Sequence, residues 1–216
     1  MKTQCLMIVF LFTSLLVFGQ KIETMQWLNE PEKWEIRDGN LSMDVTPKSD
    51  YWRVTYHDFI VDDGPFYYTT RGGEFEVTVK IKGAYKSKYD QMGLMLRINE
   101  EQWIKTGIEY VDGIHNYSTV VTNKQSNWSV IQLDEKPNAV WIKAIRQKDA
   151  VEIYYSLDGE NFKLSNQVYL AQYKPVMVGM MAASPDGDGF KALFEDFTVK
   201  HLPDLRRLEW LNNNQE

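Results

Sequence analysis

The chain has 216 residues, of which 44% are hydrophobic, 13% aromatic and 25% charged. This is the length and composition of one globular domain with its own core, and it argues against disorder, collagen and coiled coil. The net charge is −6 and no basic stripe is present, which argues against nucleic acid as a partner, because phosphate neutralisation needs clustered Lys and Arg.

The chain opens with Lys2 and an apolar run from Leu6 to Phe18, followed by Val17-Phe18-Gly19 ahead of Gln20. This is the pattern of a secretory signal peptide over residues 1–19, with residues 20–216 as the mature domain. The run is shorter than the ~20 apolar residues of a membrane span, so no span is expected after cleavage. Cleavage would remove Cys5, the single cysteine, leaving no disulfide, thiolate or cysteine metal ligand. The expectation is a secreted or periplasmic protein, and the lack of disulfides points to a bacterial one.

From there on the punctuation is that of an all-β protein. Residues 34–37 and 41–45 flank Asp38-Gly39-Asn40 as a hairpin. After Gly72-Gly73, the residues Phe75, Val77, Val79 and Ile81 alternate strictly, as on a half-buried strand. Met92, Leu94, Leu96 and Ile98 alternate again, and Ile104, Ile108 and Tyr110 follow. Further strands are predicted over 117–123, 128–133, 140–146, 150–156, 176–182 and 193–199. Pro203 and Asp204 precede Leu205, Leu208 and Leu211, which predicts a short C-terminal helix. Many short strands without βαβ alternation predict a jelly-roll β-sandwich of two antiparallel sheets.

Strand parity sorts the side chains onto two faces. If Met92, Leu94, Leu96, Ile104 and Ile108 face the core, then Gln91, Met95, Arg97, Trp103, Lys105 and Glu109 face outward, beside Gly93 and Gly107. Ser118 and Thr122 fall on one face near Val120. Trp, Arg, Gln, Lys and Glu beside two glycines predict a shallow site for a polar ligand, in which Trp stacks on a sugar ring and the others bond its hydroxyls. Trp52, Arg53 and Trp128 are candidate rims. The plain alternative is a cross-strand ion pair, Arg97–Glu109 or Lys105–Glu109, with Trp103 as surface packing. Glu109 is also the one candidate catalytic acid, expected to be held ionised by Lys105 and Arg97.

Other signals are weak. His57, His115 and His201 have no metal-site spacing. Asp186-Gly187-Asp188-Gly189 lacks the remaining oxygens of a calcium loop and reads as a Gly-rich turn, and Asp62-Asp63-Gly64 is weaker still. No metal and no cofactor is expected. There is no Gly-x-Ser-x-Gly elbow and no Glu-x-Asp-x-x-Glu strand motif.

Three segments in order, Tyr89-Asp90-Gln91-Met92-Gly93-Leu94-Met95-Leu96-Arg97, residues 103–113, and Val120-Val121-Thr122 with Ser126-Asn127-Trp128-Ser129, resemble one uncharacterised domain family, that which includes the "regulation of enolase" protein. Tyr51-Trp52-Arg53, Tyr155-Ser156-Leu157-Asp158-Gly159 and Ser184-Pro185 with Gly189-Phe190 fit the same pattern, so the resemblance covers about residues 25–200. It implies a concanavalin A-like lectin/glucanase fold and no established activity. The residues and the resemblance together lead to a carbohydrate-binding or carbohydrate-associated protein with a glycan or polysaccharide as partner. The alternatives are a glycoside hydrolase using Glu109 and a protein-interaction module of the cell envelope.

Overall fold

The computed structural model describes residues 22–213. The expected signal peptide lies outside the described residues.

In chain order the first strands are β1 (Gln26–Leu28), β2 (Lys33–Arg37), β3 (Asn40–Asp44), β4 (Tyr51–Arg53), β5 (Ile60–Asp62), β6 (Phe66–Arg71), β7 (Phe75–Gly83) and β8 (Gln91–Asn99). They are followed by β9 (Gln102–Val111), β10 (Ile114–Asn123), β11 (Gln125–Gln132), β12 (Val140–Gln147), β13 (Ala150–Ser156), β14 (Lys163–Tyr169), β15 (Val176–Ala183) and β16 (Lys191–His201). Helix α1 (Leu205–Asn213) ends the described chain. The Asp204 carboxylate accepts the Arg207 backbone N–H at 3.0 Å and caps the helix. No helix among the described residues is long and apolar enough to cross a membrane.

The strands form two seven-stranded sheets, ordered β1-β6-β15-β8-β9-β10-β11 and β14-β13-β12-β7-β16-β3-β2, with β4–β5 as a separate hairpin. The pairings within both sheets are antiparallel. The molecule is therefore the jelly-roll β-sandwich that the alternation predicts, of concanavalin A-like type. Between the sheets lies one core. The second sheet contributes Val77, Val79 and Ile81 from β7 and Ile142 and Ala144 from β12. The first contributes Met92, Leu94 and Leu96 from β8, Ile104 and Ile108 from β9, and Val178 and Met180 from β15. Every second residue of these strands is apolar because only one face of each strand reaches this layer.

The other face of the first sheet is not an open surface. The hairpin β4–β5 lies across it as a roof, and a second apolar cluster forms beneath: Tyr51, Phe66, Met95, Trp103, Val120, Met181 and Ala183. Tyr51 meets Trp103 edge to face, with ring centroids 6.1 Å apart, and Trp103 is only 1% exposed. A charged residue under this roof requires a partner, since an isolated buried charge is costly. Arg97, 5% exposed, is met by Asp62 through two parallel bonds, Nη1–Oδ1 at 2.5 Å and Nη2–Oδ2 at 2.6 Å. Neither of the cross-strand pairs weighed from the sequence forms: Arg97 reaches Asp62 and Lys105 reaches Asp50.

Gly93 and Gly107 stand opposite each other on β8 and β9. A Cβ on Gly93 would lie 1.9 Å from the Thr106 carbonyl oxygen and 2.7 Å from Gly107 Cα. These glycines therefore answer to the close approach of two backbones. The expectation that they open space for a ligand is corrected on that ground.

Two outcomes test this account of the roof and the glycines. Asp62→Ala should lower unfolding free energy by about 3 kcal/mol in urea titrations, because it strands the buried Arg97 guanidinium. Arg37→Ala, which breaks the exposed Arg37–Glu35 pair, should cost under about 1 kcal/mol. Gly93→Ala should cost about 2 kcal/mol or more, whereas Gly72→Ala, where an added Cβ meets nothing within 4 Å, should leave the midpoint nearly unchanged.

Candidate functional site

The roof covers only part of the outer face. Past its edge, toward β10 and β11, the face opens into a cavity of about 290 Å³. Its floor comes from strand parity. Gln91 on β8 is register partner of Glu109 on β9, and Met95 of Lys105. On the other side of β9, Ser118 pairs with Gly107 and Val120 with Lys105. Trp128 on the edge strand β11 lies opposite Val120. Gln91, Lys105, Glu109, Val120 and Trp128 thus converge because their strands are adjacent and their parity is shared.

The walls come from loops. Trp52, His57 and Phe59 belong to β4 and the turn that follows it, and Asp50 precedes β4. This turn is tight: Val54, Tyr56 and Asp58 all have positive φ, at 62°, 67° and 56°. A β-branched residue in that region is costly, so the surrounding packing must hold it there. Backbone bonds fix the turn, with Val54 N–H donating to Phe59 O at 2.7 Å and Asp58 N–H to Val54 O at 2.7 Å. His57 is clasped by aromatic rings, stacked on Phe59 at 5.4 Å and edge-on to Trp52 at 5.9 Å. Across the cavity stand Tyr89, Pro185 and Asp186. Asp90, fully buried, holds that side by accepting from Ser184 Oγ at 2.5 Å and from the backbone N–H groups of Lys86 and Ser87 at 2.7 and 2.9 Å.

The polar floor is connected. Lys105 Nζ donates to the Tyr51 carbonyl at 2.7 Å and to Asp50 Oδ1 at 3.4 Å. Gln91 Nε2 donates to the same Asp50 oxygen at 3.3 Å and to the Tyr89 carbonyl at 3.2 Å. The Trp128 indole N–H donates to Glu109 Oε2 at 2.7 Å and to Ser118 Oγ at 3.0 Å. Glu109 is 6% exposed. Burial pushes its carboxyl above the usual carboxylate range, against the opposing pull of Lys105 and of the Ser118 and Trp128 donors, while Asp50 adds to the rise. The expectation that Lys105 and Arg97 together draw the Glu109 carboxyl downward is corrected in direction. Arg97 is turned away to Asp62, and desolvation outweighs Lys105.

Of the residues singled out from the sequence, Gln91, Lys105, Glu109, Trp52 and Trp128 line this one cavity. Arg97 and Trp103 lie under the roof. Arg53 ties the roof down: its backbone N–H donates to Ser126 Oγ at 2.9 Å and its guanidinium to Glu101 at 3.1 Å. Sequence reasoning missed Asp50, Asp90 and Phe59. Asp90 stands inside the segment that carries the family resemblance but was given no role there; Asp50 matters through contacts more than forty residues away and Asp90 through one across the fold. Asp62-Asp63 has its structural use here, Asp62 on Arg97 and Asp63 accepting the Asp50 backbone N–H at 2.8 Å. Among the described residues no group of three or more His, Cys, Asp or Glu side chains could hold a metal ion.

The chain is 32% identical over 173 residues to regulation of enolase protein 1 of Saccharomyces cerevisiae, covering 80% of this chain and 87% of the yeast protein. A crystal structure described as a functionally unknown protein from Saccharomyces cerevisiae superposes with a TM-score of 0.82 at 30% identity, over 85% of this chain and 100% of that one. The GH43 protein BlXynB of Bacillus licheniformis, as its K247S mutant, superposes with a TM-score of 0.65 at 16% identity, over 85% of this chain and 39% of that one. This last likeness is one of fold alone. The yeast relative overturns the expectation of a bacterial secreted or periplasmic protein. The absence of disulfides carries no bacterial signature, because a core of this size needs none. A family model described as "Protein of unknown function (DUF1349)" matches residues 27–202, and the chain belongs to that family.

Proposed function

We propose that the cavity beside the roof binds a carbohydrate, taking one sugar unit or the end of an oligosaccharide. The observation that carries this reading is Trp128. Its indole N–H is fixed by Glu109 and Ser118, yet the residue remains 46% exposed, so a rigid aromatic surface borders a polar floor. An aromatic face takes the C–H side of a sugar ring, while Gln91, Lys105 and Glu109 supply donors and acceptors for its hydroxyls. A volume of about 290 Å³ suits a small ligand. Trp52 and Phe59 extend the apolar wall. Arg97, Trp103 and Arg53 act on this site by holding the roof in place. Likeness of fold to a GH43 protein contributes nothing to the choice of ligand.

A second reading, glycoside hydrolysis, is favoured by one feature. Glu109 is biased toward its protonated form, as a general acid requires, and Asp50 and Asp186 line the same cavity. Glu109→Gln separates the two. A hydrolase would lose turnover of nitrophenyl glycosides or oligosaccharides while keeping affinity, because an amide cannot donate the proton. A binding site would show only a modest change in affinity, since an amide still accepts hydrogen bonds.

The binding reading predicts that Trp128→Ala weakens association with whichever neutral oligosaccharide binds, measured calorimetrically, by about 2 kcal/mol. Its thermal midpoint should stay close to that of the parent, as a half-exposed edge-strand residue contributes little to the core. Unchanged affinity would place the ligand elsewhere.

Glu109 also predicts a pH effect on stability. Its carboxyl titrates higher in the folded than in the unfolded chain, so its contribution to stability is fully present below the ordinary carboxyl range. That contribution is lost as pH rises through the folded value. Glu109→Gln mimics the protonated form. It should therefore melt higher than the parent at pH 7 and above, with the difference shrinking as pH falls below the ordinary carboxyl range.

A further inference from the structure

At one end of the sandwich, between the strand ends of β8–β11 and β14, the two sheets part into a mouth of about 420 Å³. The inner face of the first sheet is apolar up to this point: Ile98, Ile104 and Val121 pack on or against the core. There its character changes. Two residues from Ile104 stands Gln102, and two from Val121 stands Asn123, and these are register partners on β9 and β10. Asn127 on β11 pairs with Val121 and shares its face. Asn166 of β14 comes from the opposite sheet and lines the same space.

Two facts set this mouth apart from an ordinary polar surface. None of the residues lining it is charged, although a quarter of the chain is. Among the described residues, none of the side-chain amides of Gln102, Asn123, Asn127 and Asn166 makes a hydrogen bond to another part of the protein. Carboxamides so placed offer both donors and an acceptor each. They pay no charge-desolvation penalty when a ligand covers them. Donor and acceptor on every group, with no charge, is the complement of a chain of hydroxyls, each of which also donates and accepts. β11 and β14, which border the mouth, are edge strands of their sheets, so an extended peptide is the competing occupant. It would pair with their backbone, whereas a saccharide would engage the carboxamide side chains between the sheets.

We infer that this mouth is a second binding site, on the opposite side of the first sheet from the cavity proposed above, and that it takes an uncharged oligosaccharide. It shares no residue with the cavity lined by Glu109 and Trp128, so the two can be tested apart.

The test titrates the whole protein with xylohexaose, cellohexaose and maltohexaose, with hexagalacturonate as the charged comparison and an uncharged Gly-Ser octapeptide as the peptide comparison. The readouts are calorimetry and the side-chain NH₂ resonances of Gln102, Asn123, Asn127 and Asn166. At least one neutral hexasaccharide should shift those four resonances, and hexagalacturonate and the octapeptide should not. Asn127→Ala with Asn166→Ala should weaken the binding read by the Gln102 and Asn123 resonances at least about ten-fold. Trp128→Ala should leave the shifts of the four resonances unchanged, whatever it does to binding in the cavity beside the roof. If the double variant does not fold, the resonance shifts in the parent protein decide. The inference is overturned if no neutral hexasaccharide moves the four resonances, or if the octapeptide does so and the sugars do not. A loss of the four resonance shifts on Trp128→Ala would also overturn it, while leaving the cavity beside the roof standing.

Discussion

The paired charges beneath β4–β5 are the constraint on which this structure turns. A sheet in a two-layer sandwich ordinarily buries one face and shows the other to water. Here both faces of the first sheet are covered over much of their area, the inner by the second sheet and the outer by the roof. Covering the outer face takes Arg97 and Lys105 out of water, and each is 5% exposed. Such burial is tolerable only with partners in place. Asp62 meets Arg97 in fork-to-fork geometry, and the Tyr51 carbonyl with Asp50 meets Lys105. The acceptors all come from the roof itself. The same bonds that neutralise the floor therefore fix where the roof lies and where it stops.

Where the roof stops, the cavity begins, and its chemistry follows from that edge. Lys105 spends its donors on the roof, so its charge reaches Glu109 without satisfying it. Glu109 keeps donors from Trp128 and Ser118 but lies deep enough that desolvation dominates its titration. The strained turn 54–58 belongs to the same arrangement. Its positive-φ residues bring Trp52, His57 and Phe59 into one aromatic cluster against the cavity. Strain of that kind persists when surrounding contacts over-determine it, and it collects at functional sites. The opposite mouth has no such device. It is made by the strand ends of two sheets that diverge, and its carboxamides are left over where the apolar stripe runs out.

The sequence by itself determined the sandwich, because alternation is a direct consequence of which strand face meets a core. Phe75, Val77, Val79 and Ile81 could be read as one buried face, and so could Met92, Leu94 and Leu96. Parity also put Gln91, Lys105 and Glu109 on a common face, and the adjacent strands β8 and β9 do place them in one cavity. Some elements were less legible. β6, with Phe66-Tyr67-Tyr68-Thr69-Thr70, carries a clear aromatic and β-branched signal in hindsight. β1, β5 and β14 are short or polar and carry little. Only the tertiary structure decided what covers the outer face. Parity says that Arg97 and Trp103 leave the core, but it cannot say whether they meet water, a ligand or another segment. The segment that meets them lies far earlier in the chain, with Tyr51 against Trp103 and Asp62 against Arg97, and no local pattern there announces its destination. The state of Glu109 was equally beyond the sequence, since a carboxyl titrates according to its burial and the direction of its neighbours' bonds. Those exist only once the roof has closed over the sheet.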